Sequence, residues 1–241
     1  ASVTTAIAAD LVKDLTDAKA TDALKLTVLD QATATAASDL KALDAKTSVN
    51  VDASAVKEIT GTAADVKTVL AADTIDTAAN VAVTVTGTVS AADANTITGA
   101  TAGNVTATVA AGTAASLNTA LANATTGNDA LTLTVNGATA TAIALNELDA
   151  KTSVDVKVDA TEVTGEFTDL NELYVTNKDN FTALGNETVK ITDATVTAAQ
   201  ANTIANATTG KVTATVTAAT ATNLITNLTN AAATDALTLT V

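Results

Sequence analysis

The sequence predicts an α/β solenoid, each coil of about 25 residues supplying one parallel strand and one helix. Three observations predict it. The first is internal repetition: residues 3–28 and 216–241 agree, without gaps, at 16 of 26 positions, well beyond shared composition. The run LTLTV at residues 237–241 recurs at 131–135 and, as LKLTV, at 24–28. The second is a set of short alternating runs rich in β-branched residues, such as VTATV at 105–109, which carry the half-buried strand pattern. The third is apolar spacing of four between those runs, as in Leu117 and Leu121, which carries the helical pattern.

Each strand-like run closes on a valine or isoleucine: Val28, Val51, Val85, Val109, Val135, Val158, Ile191, Val216, Val241. The intervals are 23, 34, 24 and 26 residues, then 23, 33, 25 and 25. Four coils therefore form a super-repeat of about 106 residues that occurs twice. This divides one continuous array, 1–241, into a first coil at 1–28 and super-repeats at 29–135 and 136–241. The words agree as well. LDAKTSVNVDAS from Leu43 matches LDAKTSVDVKVDAT from Leu148, and VSAADANTITGATAGNVTATV from Val89 matches VTAAQANTIANATTGKVTATV from Val196.

Taken in order, the strand halves are runs such as 105–109 and 154–158. The helix halves place Leu117 and Leu121 on one stripe with Ala114 and Ala124, and repeat it at Leu224 and Leu228 and at Val66 and Leu70. Ser38 and Ser90 are expected helix caps; Gly127, Gly137 and Gly210 mark turns back to strands. Strand plus helix in this length is leucine-rich-repeat-like geometry. Alanine-rich helices suit it: parallel strands lie about 4.8 Å apart but helices about 8–10 Å, and small side chains reduce the mismatch. The alternative is an all-β solenoid, favoured by threonine-rich alternation such as ATATAIAL at 138–145. Against it stand the leucines four apart, only 10 glycines and no proline. The intervals 52–85 and 159–191 are expected to be long coils with about ten extra residues. All three aromatics, Phe167, Tyr174 and Phe181, fall seven apart in the second, where they are expected to fill a wider space.

Composition narrows function. The chain has 47% hydrophobic but only 1% aromatic residues, so the core must be built from small and β-branched side chains. It contains no Cys, His, Met, Trp or Pro, and all 12 basic residues are lysine. Without histidine or cysteine the usual nucleophile–base pairs and zinc sites have no ligands. The acids Asp10, Asp14, Asp17 and Asp22 alternate with Lys13 and Lys19 and read as solvated surface. The protein is therefore expected not to be an enzyme and to need no cofactor. A net charge of −14 opposes nucleic-acid binding, and no apolar run is long enough to span a membrane. Calcium takes carboxylate and carbonyl oxygens as ligands, and these are present. Asp73 and Asp76, or Asp193 at a strand end, are the candidate ligands of an isolated site, although neither the nonapeptide calcium repeat nor an EF-hand loop occurs. A melt that ignores chelator would dismiss them.

The phrases VDASAVKEITGTAADV from Val51, FTALGNETVKITDATVTAAQANTI from Phe181 and VSAADANTITGATAGNVTATV from Val89 resemble repeats of giant cyanobacterial cell-surface proteins, adhesin-like and often labelled haemolysin-type. That resemblance implies an extracellular or cell-surface location and a structural role in a fibre, sheath or surface layer, with self-association through stacked coil ends or neighbouring copies. The alternative is an adhesion module that recognises surface polysaccharide or protein on the solenoid face.

Overall fold

The computed structural model describes all 241 residues. Helices alternate with strands, and every strand pairing is parallel. The helices are α1 (Ala8–Asp14), α2 (Ala37–Asp44), α3 (Ala63–Ala71), α4 (Ala91–Thr98), α5 (Ala114–Ala120), α6 (Ala142–Asp149), α7 (Phe167–Asn171), α8 (Ala198–Ala207) and α9 (Ala221–Asn227). No helix is long and apolar enough to cross a membrane. The chain forms two compact units, residues 1–110 with 121–132, and 111–120 with 133–241.

In the first unit a five-stranded sheet runs Thr35–Ala36, Glu58–Gly61, Ala82–Val89, Val105–Val109, Asp129–Thr132. A second ladder pairs Val51–Ala53 with Ile75–Thr77 and is extended by a bridge from Thr27 to Asp52. In the second unit the five strands are Thr139–Thr141, Glu162–Gly165, Thr188–Ile191, Val212–Thr215 and Ala236–Thr238, beside a three-stranded sheet of Thr134–Val135, Val156–Val158 and Phe181–Thr182. Partners lie one repeat apart in sequence. Ile59 faces Val83, Val83 faces Val105 and Val105 faces Asp129, offsets of 24, 22 and 24; Val163 faces Val189 and Val189 faces Val212, offsets of 26 and 23. The offset falls to 20 where Thr88 faces Thr108, past a bulge containing Gly87, whose φ of 76° suits glycine.

The structure departs from the sequence pattern in several places. Each interval does not hold a single strand: between α2 and α3 the chain makes both Val51–Ala53 and Glu58–Gly61, in different sheets. The same occurs between α3 and α4, α6 and α7, and α7 and α8. The bend is local: the Asp52 carboxylate accepts from the Ser54 backbone N–H and hydroxyl, an Asx-turn that breaks the extended run. The long coils therefore disappear. The 34-residue interval measured from a strand of one sheet to a strand of the other; Val51 faces Ile75 at an offset of 24. The helix caps also differ. Ser90 does cap α4, accepting from the Asp93 N–H at 3.0 Å, but Ser38 lies inside α2, whose N-cap position is Ala36. The residues 138–145 split into the strand Thr139–Thr141 and the start of α6, with Thr141 as the cap.

Four pairs of neighbouring helices are joined at one position. The fifth residue is Lys41, Lys67, Asn95, Asn118, Asn146, Asn171 and Asn202 in α2 to α8, and Val12 and Ile225 in α1 and α9. Lys41 reaches Asp65 of α3, and Lys67 reaches Asp93 of α4. Asn118 donates to the Ala144 carbonyl at 2.8 Å, and Asn146 to that of Asp169 at 3.1 Å. A second repeated device uses threonine. The Thr101 hydroxyl donates to the Val81 carbonyl and accepts from Gly103 N–H; Thr208 does the same with Glu187 and Gly210, and Thr47 with Leu24 and Val49. Buried backbone groups between repeats are thus satisfied by a side chain where no ladder bond can form.

The lysine ladder sets an acid response. The Lys41 ammonium, then the Thr62 hydroxyl, hold the Asp65 carboxyl below its ordinary 3.8; Lys67, then Ser90, do so for Asp93. A carboxyl lowered by folding contributes stability that is fully present above the unfolded value and is lost as pH falls through the folded one. The thermal midpoint is therefore expected to drop on acidification below about pH 4. The double substitution Lys41→Met/Lys67→Met should flatten that drop, measured by melts across the acid range; an unchanged slope contradicts the assignment.

Candidate functional site

Asp73, Asp76 and Asp193 each accept a hydrogen bond within the fold. Asp73, in the turn after α3, and Asp76, in the strand Ile75–Thr77, are exposed, and Asn50 donates to the Asp73 carbonyl and the Asp76 carboxylate. Asp193 belongs elsewhere: its carboxylate accepts from the Phe167 N–H at 2.6 Å and so orders the start of α7. No group of three or more acids that could hold a metal occurs. Asp10, Asp14 and Asp17 are exposed along and after α1, and Asp22 closes a turn by accepting from the Lys19 N–H.

Asp22 has counterparts at Asp129 and Asp235. Asp129 is buried and accepts from Thr125 N–H at 2.9 Å; burial pushes its carboxyl up, opposed by the backbone donors Thr125 and Val105. Asp235 accepts from Val212 N–H at 2.7 Å, one repeat away. These acids hold the turn leading into each LTLTV-type strand, which is a structural task.

A buried polar pair joins Tyr174 and Glu187. Extra length in this repeat is taken up by a π-helical turn at Glu172–Thr176, a geometry that inserts one residue into a helix. It turns Tyr174 inward to donate to the Glu187 carboxylate at 3.0 Å. Gly185 N–H, at φ 104°, donates to the same carboxylate. Burial, then the Glu187 charge and hydrogen bond, push the phenol far above its ordinary value. Tyr174 and Phe181 are buried and Phe167 is half-buried, so these rings fill the interior. A groove of about 450 Å³ beside the pair is lined by Asp159, Thr161, Asn186 and Glu187, with Ala183 at φ 62°. Tyr174→Phe should cost about 1.5–3 kcal/mol, since it removes a donor from a buried carboxylate. Urea unfolding would show it as a lower midpoint at unchanged slope; an unchanged midpoint contradicts it.

Two other grooves remain. One, of about 490 Å³, is polar and lined by Asp30, Gln31, Thr33, Lys57 and Glu58; its Lys57–Asp30 pair spans 2.9 Å between neighbouring repeats at the surface. The other, of about 420 Å³, is apolar and lies between α9 and the last strand, with Leu224, Leu228, Leu237 and Leu239 in its wall. No protein-family model, curated protein or solved structure matches the chain.

The apolar groove has internal counterparts. Leu239 and Val241 correspond to Leu26 and Val28 and to Leu133 and Val135 in the other copies of the word. Those four are completely buried, whereas Leu239 is 48% and Val241 84% exposed. In the earlier copies the end of the strand is covered by the strand one repeat later: Thr27 pairs with Asp52, and Thr134 and Val135 with Lys157 and Val158. The sequence pattern flagged LTLTV as a strand but did not show that its two halves have different partners. At 131–135 the first half closes the five-stranded sheet through Thr132, and the second half opens a three-stranded sheet at Thr134.

Proposed function

We propose that the chain is a structural repeat segment of a large extracellular or cell-surface protein, a solenoid that builds a fibre, sheath or surface layer by end-to-end association. The observation that carries this reading is the register. Ladders in both units pair residues one repeat apart, and four helices are tied to the next through Lys or Asn at the fifth position. Such a plan makes each repeat the support of the next. The grooves with polar walls hold ion pairs and turn acids that already have partners within the fold. The composition, acidic and free of cysteine, suits a soluble surface coat screened by salt. Electron microscopy of the purified chain at rising concentration is the test. Rods lengthening in steps of one chain support the proposal; particles that stay one chain long at every concentration overturn it.

The adhesion reading has less support. Its natural surface is the threonine-bearing strand face, where Thr108 faces Thr132 and Thr215 faces Thr238. Rings that stack on sugars are scarce there, because Tyr174 and Phe181 are buried.

A further inference from the structure

We propose that the corner Asn136–Gly137 is a self-modifying site, at which the Gly137 nitrogen attacks the Asn136 side-chain amide, ammonia leaves, and water opens the resulting ring to aspartate or isoaspartate. The protein thereby gains one negative charge with age and, in the isoaspartyl form, one backbone methylene.

The chain has 18 asparagines, and Asn136 alone precedes a glycine. Asparagine is thermolabile because the next backbone nitrogen can reach its side-chain carbonyl carbon, an approach that a following side chain hinders. Gly137 has no side chain, and its φ of 113° lies where only glycine is comfortable. The fold adds a selective freedom. Residues 136–139 are exposed between the buried Val135 and Ala140. On one side the Asn136 N–H donates to the Gly112 carbonyl at 2.9 Å, and the Val135 carbonyl accepts from the Asp159 N–H at 2.8 Å. On the other side the Ala138 carbonyl accepts from the Glu162 N–H at 3.0 Å and from the Thr161 hydroxyl at 2.9 Å. Between these anchors the Gly137 N–H and the Asn136 side chain hydrogen-bond to no other group of the protein. Nucleophile and electrophile are thus both left free. Asparagines such as Asn95, Asn118, Asn146 and Asn202 instead spend their side chains on the neighbouring repeat.

The step needs only water. A bond forms from the Gly137 nitrogen to Asn136 Cγ and the Cγ–Nδ2 bond breaks. The proton lost from the Gly137 N–H is balanced by the one gained as the amide nitrogen leaves as ammonia. Water then opens the five-membered imide. Opening at Cγ gives aspartate; opening at the main-chain carbonyl gives isoaspartate, whose backbone runs through the former side chain. The neighbours show how each product fits. Val135 faces Val158, so Asn136 stands beside Asp159, and Asp52 and Asp76 face each other at the matching place after Val51 and Ile75. A carboxylate is therefore at home on this corner, and the aspartyl form keeps the fold. The isoaspartyl form must fit its extra methylene between anchored groups. Either form sets a new charge beside Asp159, which holds Lys157 at 2.8 Å, and like charges on neighbouring strands repel.

The test is to age the full chain at physiological temperature and mildly alkaline pH, folded and in urea, and to map amide loss by peptide mass spectrometry with isoaspartyl assignment. Asn136 should lose its amide at least tenfold faster than any other asparagine of the folded chain, and within tenfold of its own rate in urea. The aged species should coelute with Asn136→Asp on anion exchange, and Asn136→Gln should form no such species over the same time. An Asn136 amide that outlasts those of other asparagines overturns the proposal, as does an acidic species that forms equally fast in Asn136→Gln. Loss more than tenfold slower in the folded chain than in urea also overturns it, because the corner would then hold its amide in spite of the glycine.

Discussion

Leu133→Ala is expected to lower the unfolding free energy by about 2–5 kcal/mol, whereas Leu239→Ala should cost less than about 1 kcal/mol. The two leucines sit in identical words, LTLTV, so local sequence and strand propensity are matched. Leu133 is fully buried and Leu239 is half exposed, and truncation costs both the transfer of the removed atoms and the cavity they leave only at the buried site. Leu26→Ala should follow Leu133→Ala, since Leu26 is equally buried. Urea titrations of the three variants decide it. Equal losses at 133 and 239 would mean that burial by the neighbouring repeat is not what distinguishes the copies.

The second large effect is steric. A Cβ at Gly210 would stand 1.8 Å from the Glu187 carbonyl oxygen and 2.4 Å from its carbon, and at Gly103 2.4 Å from the carbonyls of Asn80 and Val81. These obstacles are backbone, held by the Thr208 and Thr101 hydroxyls, so they cannot swing aside. Gly210→Ala must push two repeats apart at that corner, with a cost of about 3 kcal/mol or more. Gly127→Ala is the control: nothing lies within 4 Å of its Cβ position, and its effect should stay within about 0.5 kcal/mol. Thermal and urea unfolding of the pair would show the contrast. A Gly210→Ala protein as stable as Gly127→Ala contradicts the close approach.

Much of this architecture is legible in the letters. Alternation of strand and helix follows from the period of the apolar residues, and the kinship of 3–28 with 216–241 needs only alignment. The second strand of each repeat is not legible: Val51 closes a strand-like run in the letters, but Glu58–Gly61, which follows the Asx-turn at Asp52, has four residues ending in glycine and no alternating pattern to mark it. Strand ends used as markers therefore mixed two sheets and produced long coils that do not exist. The threonine device leaves a faint signal, Thr-Ser-Val at 47 and 152 and Thr-x-Gly at 101 and 208, whose meaning depends on which carbonyl lies opposite. Lys or Asn at the fifth helical position is also visible once the helix starts are known. Burial of the repeated word is different in kind. Leu26, Leu133 and Leu239 are the same letter in the same word, and only the presence of a following repeat separates core from surface.

The central claim is that each strand lies directly on the strand one repeat away. Because the chain has no cysteine, it can be tested by single pairs of introduced thiols. Thr108 and Thr132 are register partners, as are Thr215 and Thr238. Register partners in a parallel ladder lie about 4.8 Å apart, inside the range a disulfide spans, while a two-residue slip takes them to about 8 Å, outside it. Thr108→Cys/Thr132→Cys and Thr215→Cys/Thr238→Cys should oxidise to internal disulfides under mild oxidant, and Thr106→Cys/Thr132→Cys and Thr213→Cys/Thr238→Cys should remain reduced, read by mass spectrometry after thiol alkylation. Equal oxidation of matched and slipped pairs, or of neither, would contradict the register on which the stacked-repeat reading stands.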